Sequence, residues 1–234
     1  MSISSCFPTP IKFFKNEINT LERIRNNSII KRNFAKLVND ADHYLIKNDT
    51  SIKKNSPAEF NLDFQSRIEG ISINNRPGTA HIGASMKAKK DDYEILTYYF
   101  MLCDSKTVIR KFHFDYTPEN IETRIPHPIF HLQYPGELSD HLLSLKLVHD
   151  HLECGLSEPR IPFIPMSLAL TINLIYKEFR NEETYKVIND RTWRDLIKTN
   201  EDLLLHPYFI KCNSFFSRSS GIKLFTNDFC YGSI

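Results

Sequence analysis

Four residues carry the chemistry this sequence could support: His113, Asp115, His131 and Arg160. His113 and Asp115 stand two apart in an alternating stretch, and side chains two apart on a strand share a face. His131 holds the same polar phase in a later alternating stretch, so pairing of the two strands would bring the imidazoles within a few ångströms. Two imidazoles beside a carboxylate can accept one proton and deliver another, or hold a phosphate. Arg160 lies between Pro159 and Pro162, where the backbone is held extended. Its guanidinium could clamp a carboxylate or phosphate through two parallel hydrogen bonds, or tie its own loop to an acidic residue or a helix end. The plainer reading of the set is a solvated sheet face or a partner surface, ordinary for an antiparallel sheet.

Other groupings are less specific. His141, His149, His151 and Cys154 are zinc donors by type, but their spacing matches no zinc signature and no metal is expected. Lys87, Lys89, Lys90, Lys106, Arg110 and Lys111 fall near Tyr93, Tyr98 and Tyr99. That mixture suits a nucleic-acid surface with stacking aromatics, and equally edge-protecting lysines above core tyrosines. With seven glycines and no glycine-rich phosphate loop, the chain specifies no cofactor.

Bulk properties narrow the class. The 234 residues are 41% hydrophobic, enough for one domain with a sizeable core. A net charge of +2 gives no global argument for nucleic acid or acidic membranes, so either would need a local patch. The five cysteines are scattered and form no C-x-x-C pair, which suggests reduced thiols in a cytoplasm. The longest apolar run, Ile161–Tyr176, is interrupted by Pro162, Pro165, Thr171 and Asn173 and falls short of the roughly 20 residues of a membrane helix. No membrane partner is expected.

The elements that must position the candidates follow from periodicity. Ile11–Arg25 has helical spacing, and Ser28 is placed to cap a second helix with the stripe Phe34, Leu37, Val38, Ala41, Tyr44 and Leu45. From Phe60 the period becomes two. Asn74–Gly78, Asp91–Asp92 and Asp104–Lys106 separate strands, and Tyr93–Cys103, apolar on both faces, suits a central strand. One face should carry Phe60, Leu62, Phe64, Ile82, Met86, Phe112, Phe114, Phe130 and Leu132. The other should carry Asp63, Arg67, Glu69, His81, Lys87, Lys111, His113, Asp115, His131 and Gln133. Residues 136–155 read equally as helix or strand. Pro165 suits the first turn of an apolar helix, Ser167–Phe179, and Thr184–Phe216 continues helically with a break or kink at Pro207. The expectation is a single α+β domain. Helices at 1–50 and 158–216 should pack on one face of an antiparallel meander of about five strands, at 60–134.

His127–Gln133 (His-Pro-x-x-His-Leu-Gln), Pro159–Leu168 (Pro-Arg-x-Pro-x-x-Pro-Met-x-Leu), Trp193–Leu196 and Pro207–Phe209 occur in an order that resembles an uncharacterised bacterial protein family. Such proteins look like products of mobile elements or phage-defence islands. The resemblance implies a bacterial setting and no activity. Two function classes follow. One is an accessory or binding component of a defence or mobile-element system, contacting a partner protein or nucleic acid. The other is a small His-dependent nuclease or toxin-like enzyme using the polar sheet face. No motif unites nucleophile, base and stabiliser, which favours the first.

Overall fold

The fold is described from a computed structural model, for residues 7–49, 59–89, 92–104, 107–116, 130–133, 148–149 and 160–218. The chain opens with α1 (Pro10–Asn26), α2 (Ser28–Asn33) and α3 (Ala35–Lys47). Pro10 starts α1 where no N–H is needed. The cap of α2 is Asn27 rather than Ser28: its extended backbone ends α1, and its carboxamide oxygen accepts from the N–H groups of Ile29 and Ile30 at 2.9 Å each. Phe34 leaves helical geometry, so the expected second helix is two.

The sheet consists of β1 (Glu59–Ile73), β2 (Arg76–Lys89), β3 (Asp92–Asp104), β4 (Thr107–Tyr116), β5 (Phe130–Gln133), β6 (Val148–His149) and β7 (Arg160–Pro162). Its order is β1-β2-β3-β4-β5-β7. The first five strands form the antiparallel meander, β7 extends it beyond β5, and β6 pairs in parallel with Thr107 and Val108 of β4. The β1–β2 turn is tighter than Asn74–Gly78. It is Asn74 and Asn75 alone, both at positive φ, which asparagine tolerates and hairpin twist requires.

The second helical group is α4 (Leu168–Glu178), α5 (Glu182–Asn189), α6 (Arg191–Asn200) and α7 (His206–Arg218). Pro165 lies before α4, not in its first turn; Ser167 caps the helix by accepting from Leu170 N–H. A π turn, Glu201–Leu205, joins α6 to α7. It falls just before Pro207, which has no N–H to continue the ladder.

Both helical groups cover one sheet face: α1 and α3 contact β1, and α4 contacts β2 and β3. Leu62, Phe64, Ile82, Met86, Tyr98, Phe100 and Phe114 are buried there. Trp193 anchors the second group, its indole N–H donating to Asn173 at 3.1 Å and its ring against Tyr176. The architecture is α+β with helices from both ends of the chain on the apolar face. Among the described residues no helix is long and apolar enough to cross a membrane.

Candidate functional site

Strand register decides which candidates meet. Across the face turned away from the helices, one row reads Asp63, Ser85, Thr97, Asp115, His131. The next reads Gln65, Gly83, Tyr99, His113, Gln133, Arg160. Met101 and Lys111 begin a third. Alternation thus placed His113, Asp115 and His131 together correctly. Arg160 joins by its backbone, opposite Gln133 on β7, a short edge strand.

The expected solvated face divides in two. Toward β1 it is wet: Arg67 and Glu69 pair at 2.8 Å with both side chains about half exposed. Toward β4 and β5 it is sealed, with His131 3% and Lys111 4% exposed, beside buried Tyr99, Met101, Cys103 and Val108. Gly83 makes this packing possible, since a Cβ there would lie 2.2 Å from the Tyr99 ring. The Tyr99 and His113 ring centres are 5.6 Å apart.

Within the sealed part the charges are mixed. His131 Nε2 lies 3.6 Å from Asp115 Oδ2, an ion pair whenever the imidazole is protonated. His113 Nε2 is buried with no hydrogen-bond partner. Burial, and secondarily the Lys111 charge, pull its pKa from 6.5 down to about 3. At neutral pH His113 is therefore an uncharged imidazole. Burial raises the Cys103 thiol to about 11, which keeps it protonated at neutral pH.

The basic residues near the hairpins are paired in part. Lys87 and Lys89 both pair with Glu94 at 2.7 Å, and their hydrogen bonds draw its carboxyl down to about 2. Tyr93 and Tyr98 are buried in the core, so the hairpin is no stacking platform. Lys90 and Lys106 lie outside the described residues, as do His141, His151 and Cys154. His149 appears only as the backbone partner of Val108. Among the described residues no group of three metal-ligating side chains occurs. A pocket on the helix side, lined among others by Tyr98, Phe114, Phe130 and Met166, has room for about one water, too little for a substrate.

A second polar cluster was missed by sequence reasoning. Glu17 of α1 is fully buried. Its Oε2 accepts from Leu168 N–H at the start of α4 (3.1 Å), and its Oε1 accepts a longer contact from Asn16 Nδ2 (3.4 Å). Asn16 Nδ2 also donates to Asn200 Oδ1 (2.8 Å), which accepts from Ser167 Oγ as well (2.7 Å). Asn200 Nδ2 donates back to Leu196 O (2.9 Å). Burial raises the Glu17 carboxyl from 4.5 to about 8; the helix N–H and the Asn16 and Tyr98 side chains oppose this only in part. The Tyr98 hydroxyl adjoins this carboxyl without meeting strict hydrogen-bond geometry. The signal lay in α1's stripe, where Phe13, Glu17 and Leu21 follow at four-residue steps, a carboxylate in an apolar column.

No protein family, no curated protein and no solved structure matches this chain.

Proposed function

We propose that this chain is a binding component of a bacterial defence or mobile-element system, and that it engages a partner protein through the β4–β5 end of the polar sheet face. The observation that carries the reading is His113 Nε2, a buried polar atom with no partner. Leaving such an atom unmatched costs about 1–3 kcal/mol, which a hydrogen bond from a partner would recover. Lys111, Asp115 and His131 surround it with both signs of charge, suiting a polar, charge-bearing protein segment. Because Nε2 is sealed from solvent, engagement requires this end of the face to open, as in interactions that reshape one partner. The bacterial setting rests on the order of the four sequence motifs.

The nuclease alternative asks one histidine to accept a proton while the other delivers one. His113, pulled to about 3, holds no proton to deliver at neutral pH, and an effective acid–base group titrates near its working pH. That weighs against catalysis.

The test pairs a phage-challenge assay with incubation of the purified protein with RNA and DNA, for wild type and His113→Phe. Loss of protection by a folded His113→Phe chain, with no nucleic-acid cleavage by either, is the expected result. Cleavage by wild type that His113→Phe abolishes would restore the enzyme. Full protection by His113→Phe, or none by wild type, would remove the proposal.

A further inference from the structure

We infer that the outer surface of α1 and α6 is a docking face for the phosphate backbone of duplex nucleic acid. The two helices run side by side in opposite directions. Asn16 of α1 holds Asn200 at the end of α6, and Asn27, just past α1, donates to Asp190 and Thr192 at the start of α6, at 2.8 and 3.0 Å. These clamps fix the register of the two exposed stripes. On α1 the exposed cations are Lys12, Lys15 and Arg23; on α6 they include Arg194 and Lys198. None of these five takes an ion-pair partner among the described residues.

The cations outnumber the acids on and beside these stripes. Glu22 is exposed on α1, Glu201 and Asp202 are exposed just past the end of α6, and Asp195 on α6 is already engaged by Arg191 at 3.9 Å. In a chain of net charge +2, five exposed cations without an ion-pair partner among the described residues thus fall on one pair of adjacent helices. Of the hairpin lysines, which sequence composition offered for the same role, Lys87 and Lys89 are both engaged by Glu94.

The dimensions and chemistry select the duplex. From Lys12 to Arg23 α1 rises about 17 Å, and packed helices lie about 8–10 Å apart. The α1 ridge, with a shorter one of about 6 Å from Arg194 to Lys198 on α6, can follow duplex DNA, which carries a charge every ~1.7 Å of its axis. Single-strand binders add exposed aromatics on which bases stack. Among the described residues the large exposed apolar side chains are Ile46, Ile95, Tyr185, Phe209 and Ile210, none of them on α1 or α6.

The test is fluorescence anisotropy of a labelled random-sequence duplex of about 20 base pairs with the full chain, from about 50 to 200 mM salt. Engagement of these cations gives log K against log salt a slope of about −4 to −5. Lys15→Glu with Lys198→Glu should lower affinity at least about tenfold and flatten the slope by at least about 2, with the thermal midpoint unchanged. Lys89→Gln should keep affinity within about twofold, because Lys89 already serves Glu94. His113→Phe should also keep duplex binding, whichever way the sheet-face reading falls. Absence of binding at about 50 mM salt, or equal loss in Lys89→Gln, would overturn the inference. So would tighter capture of a single strand, or displacement by poly-glutamate at equal charge, which would mark an acidic protein as the partner.

Discussion

The Glu17 cluster and the His113 cluster are both shielded from water, yet they are built on opposite logic. Around Glu17 the groups answer one another. A carboxyl takes a helix N–H, one carboxamide oxygen serves two donors, and the only ionisable acid is held neutral by its surroundings. Such a network joins α1, α4 and α6 and asks for no ligand. Around His113 the groups include unlike charges and one unmatched nitrogen. Burial alone therefore does not separate the two clusters: around Glu17 the carboxyl and both carboxamides are partnered and only the adjoining Tyr98 hydroxyl is unmatched, whereas at His113 the unmatched atom is the imidazole nitrogen at the centre of the charged groups.

The largest effect that could break this comparison is expected at Asn200. Asn200→Ala removes the acceptor shared by Asn16 and Ser167 and leaves two buried donors unmatched, at a cost of about 2–5 kcal/mol. Urea unfolding reads it directly. An unchanged midpoint would mean that water reaches the network and that the contrast in satisfaction is false.

His113→Phe should do much less. It removes the unmatched nitrogen and keeps a ring against Tyr99, so stability at neutral pH should stay within about 1 kcal/mol of wild type. The pH dependence has a defined sign. The folded-state pKa of His113 lies below its unfolded value, so its contribution is complete above 6.5 and is lost as pH falls from 6.5 toward about 3. His113→Phe should therefore gain on wild type as the solution is acidified. A loss above about 2 kcal/mol at pH 7 would make His113 a partnered structural residue, like those around Glu17.

What the sequence disclosed depended on the length of the pattern. Alternation through β1 to β5 fixed which side chains share a face, and with it the meeting of His113, Asp115 and His131. It carried no information on coverage: His131 and Arg67 share a phase and a face, but one is sealed and the other wet. Arg160 sits on a three-residue strand, too short to show a period, and only its register with Gln133 places it. The cap of α2 is Asn27, one residue before the expected Ser28, and Pro165 precedes α4 instead of lying in its first turn. Local polar side chains compete for the same role, and tertiary contacts choose among them. Glu17 was hidden because one charged residue within a stripe reads as tolerance, until the start of α4 arrives from far along the chain to meet it.

The most direct measurement is urea unfolding of wild type and Glu17→Gln at pH 5 and pH 9. The folded-state pKa of Glu17, about 8, lies above its unfolded value of 4.5. Its stabilising contribution is therefore complete below 4.5 and is lost as pH rises through about 8, because the unfolded chain releases the proton that the folded chain must keep. Relative to Glu17→Gln, wild type should lose about 3–5 kcal/mol between the two conditions. The glutamine keeps an acceptor for Leu168 N–H and cannot ionise, so it should be the more stable chain at pH 9. Parallel profiles for the two proteins would contradict the account, because Glu17 would then ionise freely and its network would be no more closed than the site around His113.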